Sequence, residues 1–255
     1  MTPPSMQPDW PAPANVHALI TPRAGGVSRG PYGAPPHGRD GMNIGLASGD
    51  DANDVAANRA LLRASLPAEP RWLNQVHGAV VIDAAHVEAS AAATADAAFT
   101  DAPNVVCAVS IADCMPVLLT DTSGRCVGVA HAGWRGVASG VIQATARAMR
   151  ARLANTEAEL IAYLGPAIGP LHFEVGADVL DAMRKHLPAA ERAFKPRSHG
   201  KYLADLFELG RQALEQVDVS RVYGGEACTY SDPARFYSFR RDRVTGRHAA
   251  VIWRV

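Results

Sequence analysis

Neither a C-x-x-C nor an H-x-H pair occurs anywhere in this sequence of 255 residues. With only Cys107, Cys114, Cys126 and Cys228, a disulfide framework is excluded, and the thiols read as those of a reducing compartment. The absence of H-x-H argues against the histidine-rich cluster of a multicopper oxidase. No run of about 18 apolar residues is present to span a bilayer. The opening MTPPSMQPDWPAPAN has prolines where a secretory signal carries its apolar core, so the cytoplasm is the expected compartment. Lys and Arg total 25 against 25 Asp and Glu, which gives no net attraction to nucleic acid or an anionic membrane. Neither G-x-x-x-x-G-K-[ST] nor G-x-G-x-x-G is found, so ATPase and dinucleotide readings lack support. His86-Val87-Glu88 matches the H-x-E of zinc deaminases, but the P-C-x-x-C that should follow is missing.

What remains is ordinary globular material, 48% hydrophobic and 20% charged. There is no internal repeat and no linker. The expectation is a flexible Pro-rich lead-in over 1–15, then a single mixed α/β domain over 16–255, a monomer. Strands are predicted at His17–Thr21, Arg71–Asp83 (interrupted by Gly78), Val105–Ile111, Met115–Asp121, Arg125–Ala130 and Leu160–Leu164. Helices are predicted over 52–66, Val137–Leu153, 175–187 and 203–217 from apolar periodicity. Pro22–Gly49 has no periodicity and reads as a long loop of functional type. Residues 84–98 are alanine-rich and carry little signal. Phe236–Arg241 and His248–Val255 read as a hairpin around Thr245-Gly246.

The stretch Val105–Arg152 holds the chemistry. The Ser123-Gly124 turn implies a hairpin that brings Cys114 and His131 opposite or one diagonal apart, roughly 4.5–8 Å between Cβ atoms. Of the nine histidines, only His77 and His131 sit beside strand ends and glycines. With Cys114 they make a His–Cys–His set with one position open, the pattern of catalytic rather than structural zinc. Copper suits the same donors. Met115 follows Cys114, but adjacent strand residues point to opposite faces, so it is poorly placed as an axial ligand. Spacing alone leaves two other readings open: a buried thiol beside two core histidines, and a Cys114–His131 nucleophile–base pair with Asp113 nearby. Gly133-Trp134-Arg135-Gly136 opens the predicted helix, where free N–H groups and Arg135 favour an oxyanion. Asn43 and Arg59 are further polar contacts available from the N-terminal loop and its helix.

In order along the chain come Thr21–Ser28 (TPRAGGVS), Met42–Leu46 with Gly49-Asp50 (MNIGL, GD), Asn74–Gly78 (NQVHG), Ala112–Leu119 (ADCMPVLL), His131–Gly136 (HAGWRG), Leu164–Ile168 (LGPAI) and Tyr237–Trp253 (YSFRRDRVTGRHAAVIW). Together these resemble the YfiH/laccase-domain family, also called purine nucleoside phosphorylase-like or peptidoglycan editing factor proteins. The resemblance implies a mixed α/β domain of packed sheets flanked by helices, similar to Cys–His toxin hydrolases (CNF-like). It implies His77, Cys114 and His131 as zinc ligands. It also implies phosphate-dependent cleavage of adenosine, inosine, guanosine and methylthioadenosine, with adenosine deamination beside it. Other activities attached to the family are a copper-dependent polyphenol oxidase and peptidoglycan editing, the latter compatible with a Cys114-centred hydrolase. Within this frame Arg135, Asn43 and Arg59 are expected to bind nucleoside and phosphate, and Cys114, Asp113 and Arg135 to act in catalysis. Two departures stand out: extra residues Ala34–Gly41, and Ala47-Ser48 where many members carry His-Val.

Overall fold

In the computed structural model, which describes residues 5–154 and 158–255, the hairpin at Ser123-Gly124 is the spine of a six-stranded mixed sheet. Met115–Asp121 pairs antiparallel with Val127–Ala132, in the register Pro116↔His131 and Leu118↔Val129. The turn closes because Asp121, buried at the strand end, accepts N–H bonds from Ser123, Arg125 and Cys126 at 3.3, 2.7 and 2.8 Å. Gly124 takes the positive φ of 67° that such a turn requires. Leu160–Leu164 and the parallel Arg221–Gly224 extend the sheet on one side. Ala97–Thr100 and the parallel Val81–Asp83 extend it on the other.

Alternation along the central strands feeds two cores. Val117, Leu119 and Ala130 face the helices Val141–Arg152 and Leu206–Glu215, against Ile142, Met149, Leu209 and Ala213. Leu118, Val127 and Val129 face a second, antiparallel sheet of Val16–Ile20, His248–Arg254 and Cys107–Ile111. The far side of that sheet is covered by Met42, Ile44, Trp72 and Leu62, the last from the helix Ala52–Arg63. The expected mixed α/β fold of packed sheets flanked by helices is what the chain forms, and no described helix is long and apolar enough to cross a membrane.

Several local expectations change. The first four residues of the lead-in lie outside the described residues, but 5–15 are docked: Met6 bridges Ile20, the Trp10 ring packs 6.1 Å from Tyr163, and Asn15 donates to Gly124 O. The 22–49 segment is ordered by one buried side chain. Asn58 donates to Ser28 Oγ, Gly41 O and Asn43 O, and accepts from Val27 N–H. The strand expected over Arg71–Asp83 is two short ones, Leu73–Asn74 and Val81–Asp83, because His77 between them takes a positive φ of 61°. The helix expected over Val137–Leu153 is two helices, Trp134–Ala138 and Val141–Arg152, broken where Gly140 goes left-handed at φ 81°.

The C-terminal hairpin is absent as well. Phe239–Asp242 is a short helix capped by Ser238, and the preceding Phe236 and Tyr237 pack on the fully buried His248. That imidazole is committed on both nitrogens: Nε2 accepts from Tyr237 N–H at 2.7 Å, and Nδ1–H donates to Thr21 O at 2.7 Å. Protonating Nε2 would set two donors face to face in a dry core, and burial pushes the pKa down to about 4. Between pH 6.5 and 4 the unfolded chain therefore binds the proton and the folded one refuses it. This contribution is complete above about pH 6.5 and is lost as pH falls to 4, an expected loss of about 3 kcal/mol. Urea unfolding across that window should show the slope, and His248→Gln should flatten it. An equal slope in the variant would assign the acid sensitivity elsewhere.

Candidate metal centre

Cys114 stands where the chain leaves the three-stranded sheet for the six-stranded one. The intervening turn is pinned by Asp113, whose φ of 85° is unusual for a residue with a side chain. Its carboxylate accepts from Thr229 Oγ1–H and from Arg240 N–H, both at 2.6 Å, and its carbonyl from Ile168 N–H at 3.0 Å. Asp113 therefore fixes the backbone that presents the thiol. His131 lies on the hairpin's second strand, across from Pro116 and so diagonal to Cys114. His77 comes from the loop between the two short strands. Its Nε2 is 3.9 Å from Cys114 Sγ, and its ring centroid is 4.9 Å from that of His131.

One ligand atom from each of these three residues lies within 4.8 Å of the others, the one such trio of His, Cys, Asp or Glu among the described residues. The spacing fits a metal. Zn–S of about 2.3 Å and Zn–N of about 2.0–2.1 Å give a tetrahedral edge of roughly 3.6 Å. Gly133 makes room: a Cβ there would stand 2.7 Å from Cys114 Sγ and 3.3 Å from the His77 ring. His131 is buried, Cys114 half-buried and His77 exposed, so the cluster opens to solvent on the His77 side.

Asp96 organises the trio, and nothing in the sequence reading singled it out. Fully buried at the start of Ala97–Thr100, it accepts from His77 N–H and His131 Nδ1 on Oδ1, each at 2.9 Å. Its Oδ2 accepts from Val76 N–H at 3.2 Å and Gly78 N–H at 2.7 Å. One carboxylate thus shapes the His77 loop and fixes the His131 tautomer with Nε2 turned toward Cys114. Burial alone would raise the Asp96 pKa, but His131 and the Gly78 and His77 N–H groups hold it below the usual carboxylate range. The only available signal was a lone acid in an apolar run, Ala95 to Phe99, since a buried charge must have partners.

Electrostatics favour a ligating thiolate. Burial opposes ionisation of Cys114, but His131 and His77 outweigh it and draw the thiol down to about 6. Burial likewise opposes a charged His131, and Cys114 with Asp96 overturns that, lifting it to about 9. Without a metal the pair is a thiolate facing an imidazolium. A divalent cation displacing that proton would add one positive charge, which the thiolate and the Asp96 carboxylate together balance.

The other expected residues stand as follows. Met115 is buried in the helix-side core against Gly210, away from the cluster. Arg135 is exposed, with its guanidinium 4.3 Å above the Trp134 ring. Asn43 is fully buried and bonded within the N-terminal segment, to Ser48, Asp50, Gly45 and the Arg247 N–H. Arg59 stacks 4.3 Å over Trp72 and donates to Ile44 O. His86 is exposed and pairs with Asp83 at 3.1 Å, a surface contact.

A family model described as "Multi-copper polyphenol oxidoreductase laccase" matches residues 17–255. The chain belongs to this family. The chain is also 44% identical over 249 residues to the purine nucleoside phosphorylase PA4543 of Pseudomonas aeruginosa, covering 97% of each. It is 43% identical to the purine nucleoside phosphorylase YfiH of Escherichia coli, covering 96% of this chain and 97% of that one. The crystal structure of Neisseria meningitidis protein NMB0706 superposes with a TM-score of 0.88 at 45% identity, covering 98% of both chains. The laccase-domain description thus sits beside relatives named for nucleoside chemistry. The described residues supply a single His–Cys–His trio, where a multicopper enzyme needs a larger histidine cluster.

Proposed function

We propose that this protein is a zinc-dependent purine nucleoside phosphorylase, acting on adenosine, inosine, guanosine and methylthioadenosine, with adenosine deamination as a second activity. The observation that carries it is the near full-length similarity to proteins named purine nucleoside phosphorylase, coupled to an open three-ligand trio. In phosphorolysis a phosphate oxygen bonds to the ribose C1′, the C1′–N9 bond breaks, and the purine leaves with its electron pair and takes up a proton. The products are free base and ribose 1-phosphate. A metal held by His77, Cys114 and His131 would supply Lewis acidity there. The chain's own residues fix that site: Asp96 aligns both histidines, Asp113 holds the Cys114 turn, and Gly133 leaves space for the sulfur.

Copper is the alternative metal, and the laccase-domain description favours testing phenol oxidation beside nucleoside turnover. Purified protein should carry close to one zinc per chain and release adenine and ribose 1-phosphate from adenosine only when phosphate is supplied. Dye oxidation by copper-loaded protein, with no nucleoside turnover at any phosphate level, would replace this reading with the oxidase.

A further inference from the structure

The start of the Trp134–Ala138 helix, only five residues long, is a poor anchor for an oxyanion, and a cavity that reaches Gln75 beside the His77 loop is a better one. It is a pocket of about 350 Å³ bounded by the N-terminal segment, the Leu73–Asn74 region and the turn before the last strand. Arg59 and Arg247 face it, with Gln75, Ser110, Ser48 and Trp72 in its wall, and no Asp or Glu lines it. Gln75 lies two residues before His77, and its amide is locked to Ser110, accepting from N–H and Oγ–H at 2.8 Å each and donating to the carbonyl at 2.9 Å. The wall that leads to His77 is therefore rigid.

Both guanidiniums are withdrawn from water, and the carboxylates that act on them, Glu69 on Arg59 and Asp113 on Arg247, do so from beyond ion-pair distance. Among the described residues neither forms an ion pair. Arg59 uses Nε–H on Ile44 O and one face on Trp72. Arg247 uses Nη1 on the Thr245 and Gly246 carbonyls. Burial lowers the pKa of both, the mark of cations held where a charge partner would be favourable. Their placement is built in. Asn43 Oδ1 accepts the Arg247 N–H at 2.8 Å, and a Cβ on Gly45 would stand 2.6 Å from Arg247 Cγ. Arg247 is also close enough to Cys114 for the thiolate to act on it. Two half-buried arginines with spare N–H groups, a lining without acid and a hydroxyl-bearing wall are the chemistry of an oxyanion site.

We propose that the cavity between Arg59 and Arg247 is the phosphate site, placing the attacking oxyanion beside the metal trio and leaving Arg135 outside it. The assignment rests on the phosphorylase reading for its role, but the site itself is tested by binding. Inorganic phosphate is titrated into the zinc-loaded protein and followed by ³¹P line broadening, without nucleoside. Wild type and Arg135→Ala should bind alike, whereas Arg59→Gln and Arg247→Lys should weaken binding at least tenfold with metal content unchanged. In turnover the same two variants should raise the KM for phosphate and leave that for adenosine within about twofold. Should a variant misfold, wild-type protein answers instead: phosphate should shield Arg59 and Arg247, and not Arg135, from phenylglyoxal, read by peptide mass. Ribose 5-phosphate in place of phosphate shows whether the site accepts the free anion or a phosphate ester. Unaltered phosphate binding in both variants, or shielding of Arg135 instead, overturns the proposal. Phosphate binding without nucleoside turnover overturns the phosphorylase reading and leaves the site standing.

Discussion

Asp96→Asn should strip the protein of most of its metal affinity, about 10–100-fold, and cost the metal-free fold about 3–5 kcal/mol. The two substituents of an asparagine cannot serve the four donors that converge here. If the amide nitrogen takes the Oδ2 position, Val76 and Gly78 N–H lose their acceptor and meet a donor. If it takes the Oδ1 position, His77 N–H and His131 Nδ1 do. Either choice unsettles a ligand: the first releases the loop that presents His77, the second the tautomer and angle of His131. A buried donor left without a partner costs about 1–3 kcal/mol, and two are lost at once. Competition against a zinc-binding dye, together with urea unfolding after chelation, separates the two effects. Wild-type metal affinity in the variant would show that Asp96 does not organise the trio.

That such a residue escaped the sequence reading has a physical cause. A hairpin announces itself, because Met115–Asp121 and Val127–Ala132 are long apolar runs about a Ser-Gly turn, and the register then follows from the turn. Cys114 and His131 were legible for that reason. The His77 loop lies between strands of two and three residues, too short for any period to show. Asp96 sits in an alanine-rich run, and alanine marks neither face nor element. The break at Gly140 was invisible for the opposite reason: Val137 and Val141 keep their four-residue spacing across it, so the apolar face reads as continuous. Thr245-Gly246 was misread because glycine serves two purposes. Here it is a close approach, where a Cβ would stand 2.7 Å from the Tyr237 ring, and not a hairpin tip. Arg247, two residues into the same misread turn, was passed over with it. The mixed α/β class followed from the pattern of strands and helices, and the packed sheets flanked by helices from the family resemblance. The buried carboxylates that aim the trio, Asp96 and Asp113, have side-chain partners 18 to 127 positions away, which only the folded chain brings together.

Cys114→Ala should empty the metal site and Gly133→Ala should weaken it, by opposite means. Removing the sulfur leaves His77 and His131 alone, and two imidazoles do not hold zinc through gel filtration, so metal content should fall from about one per chain to near zero. The alanine has little effect on the fold, since Cys114 is only half-buried and its turn is held by Asp113. Gly133→Ala keeps every ligand. Gly133 has φ −69° and ψ 167°, ordinary for alanine, so the backbone carries no strain. The new methyl instead lies 2.7 Å from Cys114 Sγ, well inside contact distance, and must push the sulfur several tenths of an ångström off the position the histidines share. Metal sites tolerate displacements of about 0.5 Å at most, so affinity should drop about tenfold or more while the melting curve of the apo protein stays put. Full zinc retention by Cys114→Ala would reject the thiolate as a ligand. Undiminished affinity in Gly133→Ala would mean that the sulfur does not sit against this glycine when the metal is bound.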